Sequence, residues 1–132
     1  MISPVPVTPV EANQINILAL AYLGDAVYEL CVRNALVDSS KAKASVLHIS
    51  AQKYVSAKAQ KKSMELIMPE LTEDEINVFK RGRNAKPPNM PKNAETADYR
   101  YATGFEALMG YLYITGQNER LNKLCAYISE NM

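Results

Sequence analysis

The sequence predicts an all-α fold, a single domain spanning residues 1–132 and built from five to seven helices. Three observations lead there. Long stretches repeat their apolar residues at helical spacing. No segment alternates apolar and polar residues as a half-buried strand does. Helix start and stop residues punctuate the chain at Asp38-Ser39-Ser40, Thr72 and Gly116. The composition, 48% hydrophobic and 22% charged, is that of an ordinary globular protein rather than a disordered one.

Taken in order, Pro4, Pro6 and Pro9 favour an extended segment over residues 1–10, since each fixes its own φ and disfavours a helical residue before it. A proline-free stretch rich in Ala and Leu, from about Gln14 to Val37, reads as the first helix. The second is expected from Lys41 to Met68, with Val46, Ile49, Tyr54, Val55, Met64 and Ile67 on one side, lysines on the other, a break near Ser63 and a stop at Pro69. Thr72 and Glu75 form a capping box for a short helix ending near Arg81-Gly82. A loop from Asn84 to Asn93 carries Pro87, Pro88 and Pro91. Asn93 or Thr96 then caps a helix over about Glu95 to Thr115, closed by Gly116, and a last helix covers Asn118 to Asn131. No internal repeat or interdomain linker is visible.

Several function classes drop out. No apolar stretch reaches the roughly 20 residues of a membrane span, and residues 1–10 lack the basic and apolar regions of a signal peptide, so a cytoplasmic location is expected. Cys31 and Cys125 match no metal-ligand spacing and read as reduced thiols in or near the core. His48, the only histidine, has no nucleophile elbow near it. There is no glycine-rich phosphate loop, dinucleotide fingerprint or zinc motif. Tyr99, Tyr101, Tyr111 and Tyr113 spread over more than one face of their helix, which suits packing better than base stacking.

What remains is charge and two acids. The net charge is only +1, yet Lys41 to Lys62 contains no acid, and neither does the segment of Lys80, Arg81, Arg83, Lys86 and Lys92. Two such segments can form a local phosphate-binding surface, or simply a solvated helix face. Asp25 is the sole charged residue between Ala12 and Tyr28, and Glu106 the sole one between Tyr101 and Asn118. A desolvated, unpaired carboxylate costs several kcal/mol, so each needs a partner or a task. Gly24 adjoins Asp25, and Gly104 and Gly110 flank Glu106. Small residues let two helices approach, so the acids can meet across a helix crossing, where paired carboxylates suit a hard divalent cation. The plainer alternative pairs Asp25 with Arg33 and Glu106 with Arg100.

The segment Leu20-Ala-Tyr-Leu-Gly-Asp-Ala-Val-Tyr-Glu-Leu30 resembles the ribonuclease III signature, LEFLGDAVLEL, and Phe105-Glu-Ala-Leu-Met-Gly110 resembles that family's second motif, DxxEALIG. The two occur in the family's order, and the likeness covers nearly the whole chain. The chain stops where longer members continue into a double-stranded-RNA-binding domain. With Arg81-Gly-Arg-Asn-Ala-Lys86, this looks like the Mini-ribonuclease III branch. The resemblance implies a ribonuclease III endonuclease-domain-like bundle that cuts double-stranded RNA, leaving 5′-phosphate ends. It implies Mg²⁺, with Mn²⁺ able to substitute, held by Asp25 and Glu106 as the catalytic residues. It further implies a homodimer with Tyr22 at the two-fold interface, one site facing each strand. The substrate would be the ends of the large-subunit (23S) ribosomal RNA precursor, and a ribosomal protein is a candidate helper. Lys80, Arg81, Arg83, Lys86 and Lys92 would grip phosphates and 2′-hydroxyls, with the loop of Lys86 to Lys92 inserted in a groove.

The sequence also departs from the family. The signature glutamate falls on Ala21 and the second-motif aspartate on Thr103. Glu29 and Asp98 are the candidates to replace them as metal ligands. The departures leave two alternatives open, a module that binds duplex RNA without cutting it and an all-α assembly protein.

Overall fold

In the computed structural model, residues 5–39, 43–86 and 96–131 are described, and they form seven α-helices and one 3₁₀ turn, with no strand among them. Helix α1 spans Pro9–Asn13, so the extended segment expected over residues 1–10 gives way to helix at Pro9. The reason is local. Proline is well suited to the first helical position, and Thr8 and Glu11 close a reciprocal capping box. Thr8 Oγ1 accepts from the Glu11 N–H at 3.1 Å, and Glu11 Oε1 accepts from the Thr8 N–H at 3.1 Å.

Helix α2, Ile17–Ser39, starts at Asn16, whose Oδ1 accepts from the N–H groups of Leu18 and Ala19. The single helix expected from Lys41 to Met68 is two, α3 (Ala44–Val55) and α4 (Ala57–Ile67). They part at Ser56, not at Ser63. Ser56 is extended, with ψ 155°, and its hydroxyl accepts from the Ala59 N–H at 3.2 Å, so it serves as an N-cap. Ser63 is instead buried within α4, its hydroxyl donating to the Ala59 carbonyl at 3.1 Å. Lys41 lies outside the described residues.

Pro69 sits in the 3₁₀ turn Met68–Glu70 that follows α4. Helix α5, Glu73–Asn84, has the expected capping box at Thr72 and Glu75 but runs past Gly82, which packs instead of terminating. A Cβ on Gly82 would lie 2.8 Å from Gly104 Cα on the next helix. That helix, α6, spans Thr96–Ile114. Gly116, at φ 72°, ends it, with the Gln117 N–H bonded to the Leu112 carbonyl and the Gly116 N–H to the Tyr113 carbonyl. Helix α7 covers Asn118–Asn131. Pro87, Pro88, Pro91, Lys92 and Asn93 lie outside the described residues.

Helix α6 is the axis of the molecule. It is apolar nearly all round, the pattern of a helix enclosed by others. Phe105, Ala107, Leu108, Met109 and Leu112 are fully buried, and burying each large side chain contributes about 1.5–3 kcal/mol. Around it stand Leu20, Val27 and Tyr28 of α2, Met64 and Ile67 of α4, and Val78 and Phe79 of α5, with Leu121, Leu124 and Ile128 of α7 completing the core. Tyr28 meets Phe105 edge to face at 4.7 Å between ring centres. The Arg120 guanidinium ties α7 to α5, giving Glu75 two hydrogen bonds of 2.8 Å and the Glu70 carbonyl one of 2.7 Å. Burial pushes the Glu75 carboxyl up, but Arg120 and the Thr72 N–H outweigh that and hold it below its ordinary value.

The closest contact between elements is the crossing of α2 and α6. A Cβ on Gly24 would overlap the Glu106 carbonyl oxygen and come 2.7 Å from the Gly110 N; one on Gly110 would overlap the Leu20 carbonyl oxygen. Both clashes are with backbone, which has no rotamer to yield. Gly110→Ala is therefore expected to destabilise the fold by about 3 kcal/mol or more, read as a lowered urea midpoint. An unchanged midpoint would mean that the helices separate at little cost.

Candidate active site

The glycine crossing sets the geometry of the two acids. Asp25 follows Gly24 on α2, and Glu106 lies four residues before Gly110 on α6. With no side chain between the backbones, the carboxyls lie close enough for Asp25 to act on the ionisation of Glu106. Asp25 is exposed and Glu106 half-buried, so the pair has a wet side and a dry side. Arg33, considered as a partner for Asp25, bonds Glu29 instead at 2.6 Å, one helical turn along. Arg100 does not reach Glu106 either; its Nε is buried without a hydrogen-bond partner.

Two carboxylates held together resist double ionisation. Burial, then the hydrogen bond and charge of Asp25, push the Glu106 carboxyl up to about 8, against a smaller opposing effect of Gln60. Near neutral pH the pair therefore keeps one proton.

Gln60 was not picked out from the sequence. It sits in the first turn of α4, 2% exposed, and its Nε2 donates to Glu106 Oε2 at 3.4 Å and to the Val55 carbonyl at 3.1 Å. Its Oε1 is buried with no partner. A signal existed: Gln60, Ser63, Met64 and Ile67 share one face of α4, and the last two are core residues.

The donor set present is all oxygen, two carboxylates plus an unsatisfied amide oxygen attached to the group that touches one of them. That set suits a hard cation such as Mg²⁺. Ala21 is buried on α2, and Thr103 is buried on α6 with its hydroxyl donating to the Tyr99 carbonyl at 3.0 Å. Neither supplies a carboxylate. Glu29 is engaged by Arg33, and Asp98 lies in the first turn of α6, two turns before Glu106. Among the described residues, no three His, Cys, Asp or Glu side chains group as a metal cage.

The basic residues divide. Lys80 and Lys86 are exposed. Arg81 bonds the Asn13 side chain at 3.2 Å, and Arg83 lies 5.6 Å from the Phe79 ring centre while bonding Asn84. Lys92 lies outside the described residues. Lys61, not singled out before, stands 5.5 Å from the ring centre of Tyr101, on the helix that carries Glu106. His48 and Tyr22 are exposed, Tyr22 at 85%. Cys31 and Cys125 are free, half-buried thiols.

An all-α bundle with an acid pair at a glycine crossing between its two motif helices is the arrangement the sequence motifs implied. The ribonuclease III domain family matches residues 18–117, and the chain belongs to the ribonuclease III family. Within it the chain is similar to the Mini-ribonuclease 3 of Brevibacillus brevis, 51% identical over 114 residues, which are 86% of this chain and 85% of that protein. It is also similar to the Mini-ribonuclease 3 of Enterococcus faecalis, 53% identical over 114 residues, 85% of this chain and 86% of that one. Among solved structures, the crystal structure of a Fusobacterium nucleatum protein matches with a TM-score of 0.80 at 27% identity, covering 89% of this chain and 93% of its own.

The acid pair makes stability depend on pH in a stated direction. Glu106 is raised in the folded chain, so its contribution is complete below the ordinary carboxyl range, near 4.5, and is lost as the pH rises through about 8. Without divalent cation, the melting temperature of the wild type should fall between these limits, and that of Glu106→Gln should fall less. Parallel thermal melts of both proteins across this pH range measure it. Coincident pH profiles would show that the acids do not share a proton.

Proposed function

We propose that the chain is a divalent-cation-dependent endoribonuclease for double-stranded RNA, acting as a homodimer in the cytoplasm and using Mg²⁺, with Mn²⁺ able to substitute. The observation that carries this reading is the Asp25–Glu106 carboxylate pair inside a ribonuclease III domain. The names of the relatives support ribonuclease activity, and the chain spans most of their length. Maturation of 23S ribosomal RNA precursor ends, with a ribosomal protein as a candidate helper, rests on likeness to the Mini branch alone.

The reaction is hydrolysis of a phosphodiester: water adds at phosphorus and the 3′ oxygen leaves, giving 5′-phosphate and 3′-hydroxyl ends. A cation held by Asp25 and Glu106 supplies Lewis-acid activation of water and neutralises charge in the transition state. The residues do the rest. Asp25 offers its carboxylate from the exposed side of the pair, and Glu106 offers its own from the buried side. The raised Glu106 carboxyl would have to give up its proton to hold a cation, so affinity for the cation would rise with pH. Among the described residues, Lys80 and Lys86 are exposed and, unlike Arg81 and Arg83, are not engaged by a side chain of the fold, so they can reach phosphates.

A dimer is consistent with the uncovered apolar surface. Tyr22 and Leu30 of α2 are exposed, and a groove of about 850 Å³ runs between α2 and α7, lined by Leu30, Tyr54, Tyr113 and Leu121. Single exposed apolar residues are ordinary, but a groove with an aromatic beside it suits an interface.

Incubation with a labelled RNA duplex of several helical turns, with Mg²⁺ or chelator, tests the activity. Cleavage should require the cation and fall by at least about a thousandfold in folded Asp25→Asn and Glu106→Gln. Lys80→Ala with Lys86→Ala should flatten the salt dependence of binding. Binding without cleavage in either cation would favour a non-catalytic RNA-binding module, the reading that the missing acids at Ala21 and Thr103 support.

Sedimentation equilibrium tests the interface. Tyr22→Ala should weaken self-association by about tenfold or more, as loss of an aromatic anchor does. A wild-type chain that stays monomeric would remove the two-fold arrangement.

A further inference from the structure

Among the described residues, Gln60 is the polar side chain that reaches Glu106 from a third helix, and its place in α4 is over-determined. The Val55 carbonyl and Glu106 Oε2 are both acceptors, so the amide has to turn its NH₂ toward them. That choice fixes the other end of the amide. Oε1 is left enclosed by protein with nothing to accept from. Buried side-chain oxygens without a donor are rare in native proteins, and they mark places that a water or an ion completes. This one shares its amide group with the nitrogen that holds Glu106.

The pair also needs more than two groups around it. A cation bound by two carboxylates keeps several waters, and those waters need acceptors to set their orientation. Ala21 and Thr103 provide none: the first has no polar atom in its side chain, and the hydroxyl of the second is spent on the Tyr99 carbonyl. Glu29 is engaged by Arg33. Among the described residues, Gln60 Oε1 is a buried acceptor left without a partner, on the amide whose nitrogen bonds Glu106.

We propose that Gln60 is a positioning residue of this site: its NH₂ fixes the Glu106 carboxylate against Val55, and its Oε1 accepts a hydrogen bond from a water carried by the cation that Asp25 and Glu106 bind. The inference rests on the metal-dependent reading above and deepens it. A neutral amide does here the orienting that a further carboxylate would do, without adding a third negative charge to a half-buried pair.

Calorimetric titration of the full chain with Mn²⁺ tests it. Four proteins are compared: the wild type, Asp25→Asn, Gln60→Met and Gln60→Glu. Methionine keeps the length of the side chain but has neither donor nor oxygen acceptor; glutamate keeps an oxygen in place. Gln60→Met is expected to bind Mn²⁺ ~10–100-fold more weakly than the wild type, as loss of an orienting partner does. Gln60→Glu is expected to bind at least as tightly as the wild type. Thermal melts without cation separate a purely structural role, which would lower the melting temperature of Gln60→Met and leave the affinity of the folded protein unchanged; that result overturns the inference while Asp25→Asn still shows the site to be real. Equal Mn²⁺ affinity in the wild type and Asp25→Asn would overturn the metal-dependent reading itself, and this inference with it. If Gln60→Met does not fold, Gln60→Glu decides: affinity at or above wild type supports the assignment, and weaker binding overturns it.

Discussion

The contact on which the rest depends is the backbone approach of α2 and α6 at Gly24 and Gly110. A single Cβ at either position would run into the peptide backbone of the other helix. Because none is there, the helices touch along their main chains, and every neighbouring side chain is set by that distance. Leu20 and Tyr28 pack onto α6 above and below the crossing, Tyr28 edge-on to Phe105. Asp25 and Glu106 are brought onto neighbouring turns of the two helices at that crossing. Ordinary packing would place such acids where water separates them, but here the constraint that builds the core also builds the site. The cost of holding two carboxyls together is met by a retained proton, or by a cation in its place.

Much of this could be read from the chain before its structure was known. Each acid was the lone charge in an apolar helix with glycine nearby, and that pattern identified both the residues and the means of bringing them together. The Thr72–Glu75 capping box and the Gly116 stop were legible because their chemistry is local. What escaped was of two kinds. Some signals were present but outweighed: Thr8 and Glu11 form a capping box with the same spacing as Thr72 and Glu75, yet the prolines around them argued for extension. The Ser56 break was hidden because lysines and apolar residues continue in register on either side of it. Other features belong to tertiary structure alone. That Arg33 bonds Glu29, that Arg120 reaches Glu75, and that Gly82 packs on Gly104 instead of ending α5 follow from where the helices dock, which no local pattern encodes.

The boundary at Ser56 bears on the site. Gln60 shares one inward face of α4 with Ser63, Met64 and Ile67. The orphan carbonyl at the end of α3 then has a use, since Val55 accepts from Gln60 and holds the amide in one orientation. The helix boundary thus supplies the acceptor that orients a polar side chain at the site.

The two positions where family acids are missing fit the same geometry. Ala21 and Thr103 lie about one turn before Asp25 and Glu106, and both are buried. A carboxylate at either would be desolvated beside an acid that already retains a proton at neutral pH. Each further charge would have to be matched by another proton or more cation charge. A pair supplemented by neutral oxygen asks less of the cation and leaves the metal-free fold less strained by repulsion. On the proposed reading such a pair would bind a cation with fewer charged ligands, so orientation of the remaining waters would have to come from dipoles. The dipole we propose for that role is the amide of Gln60.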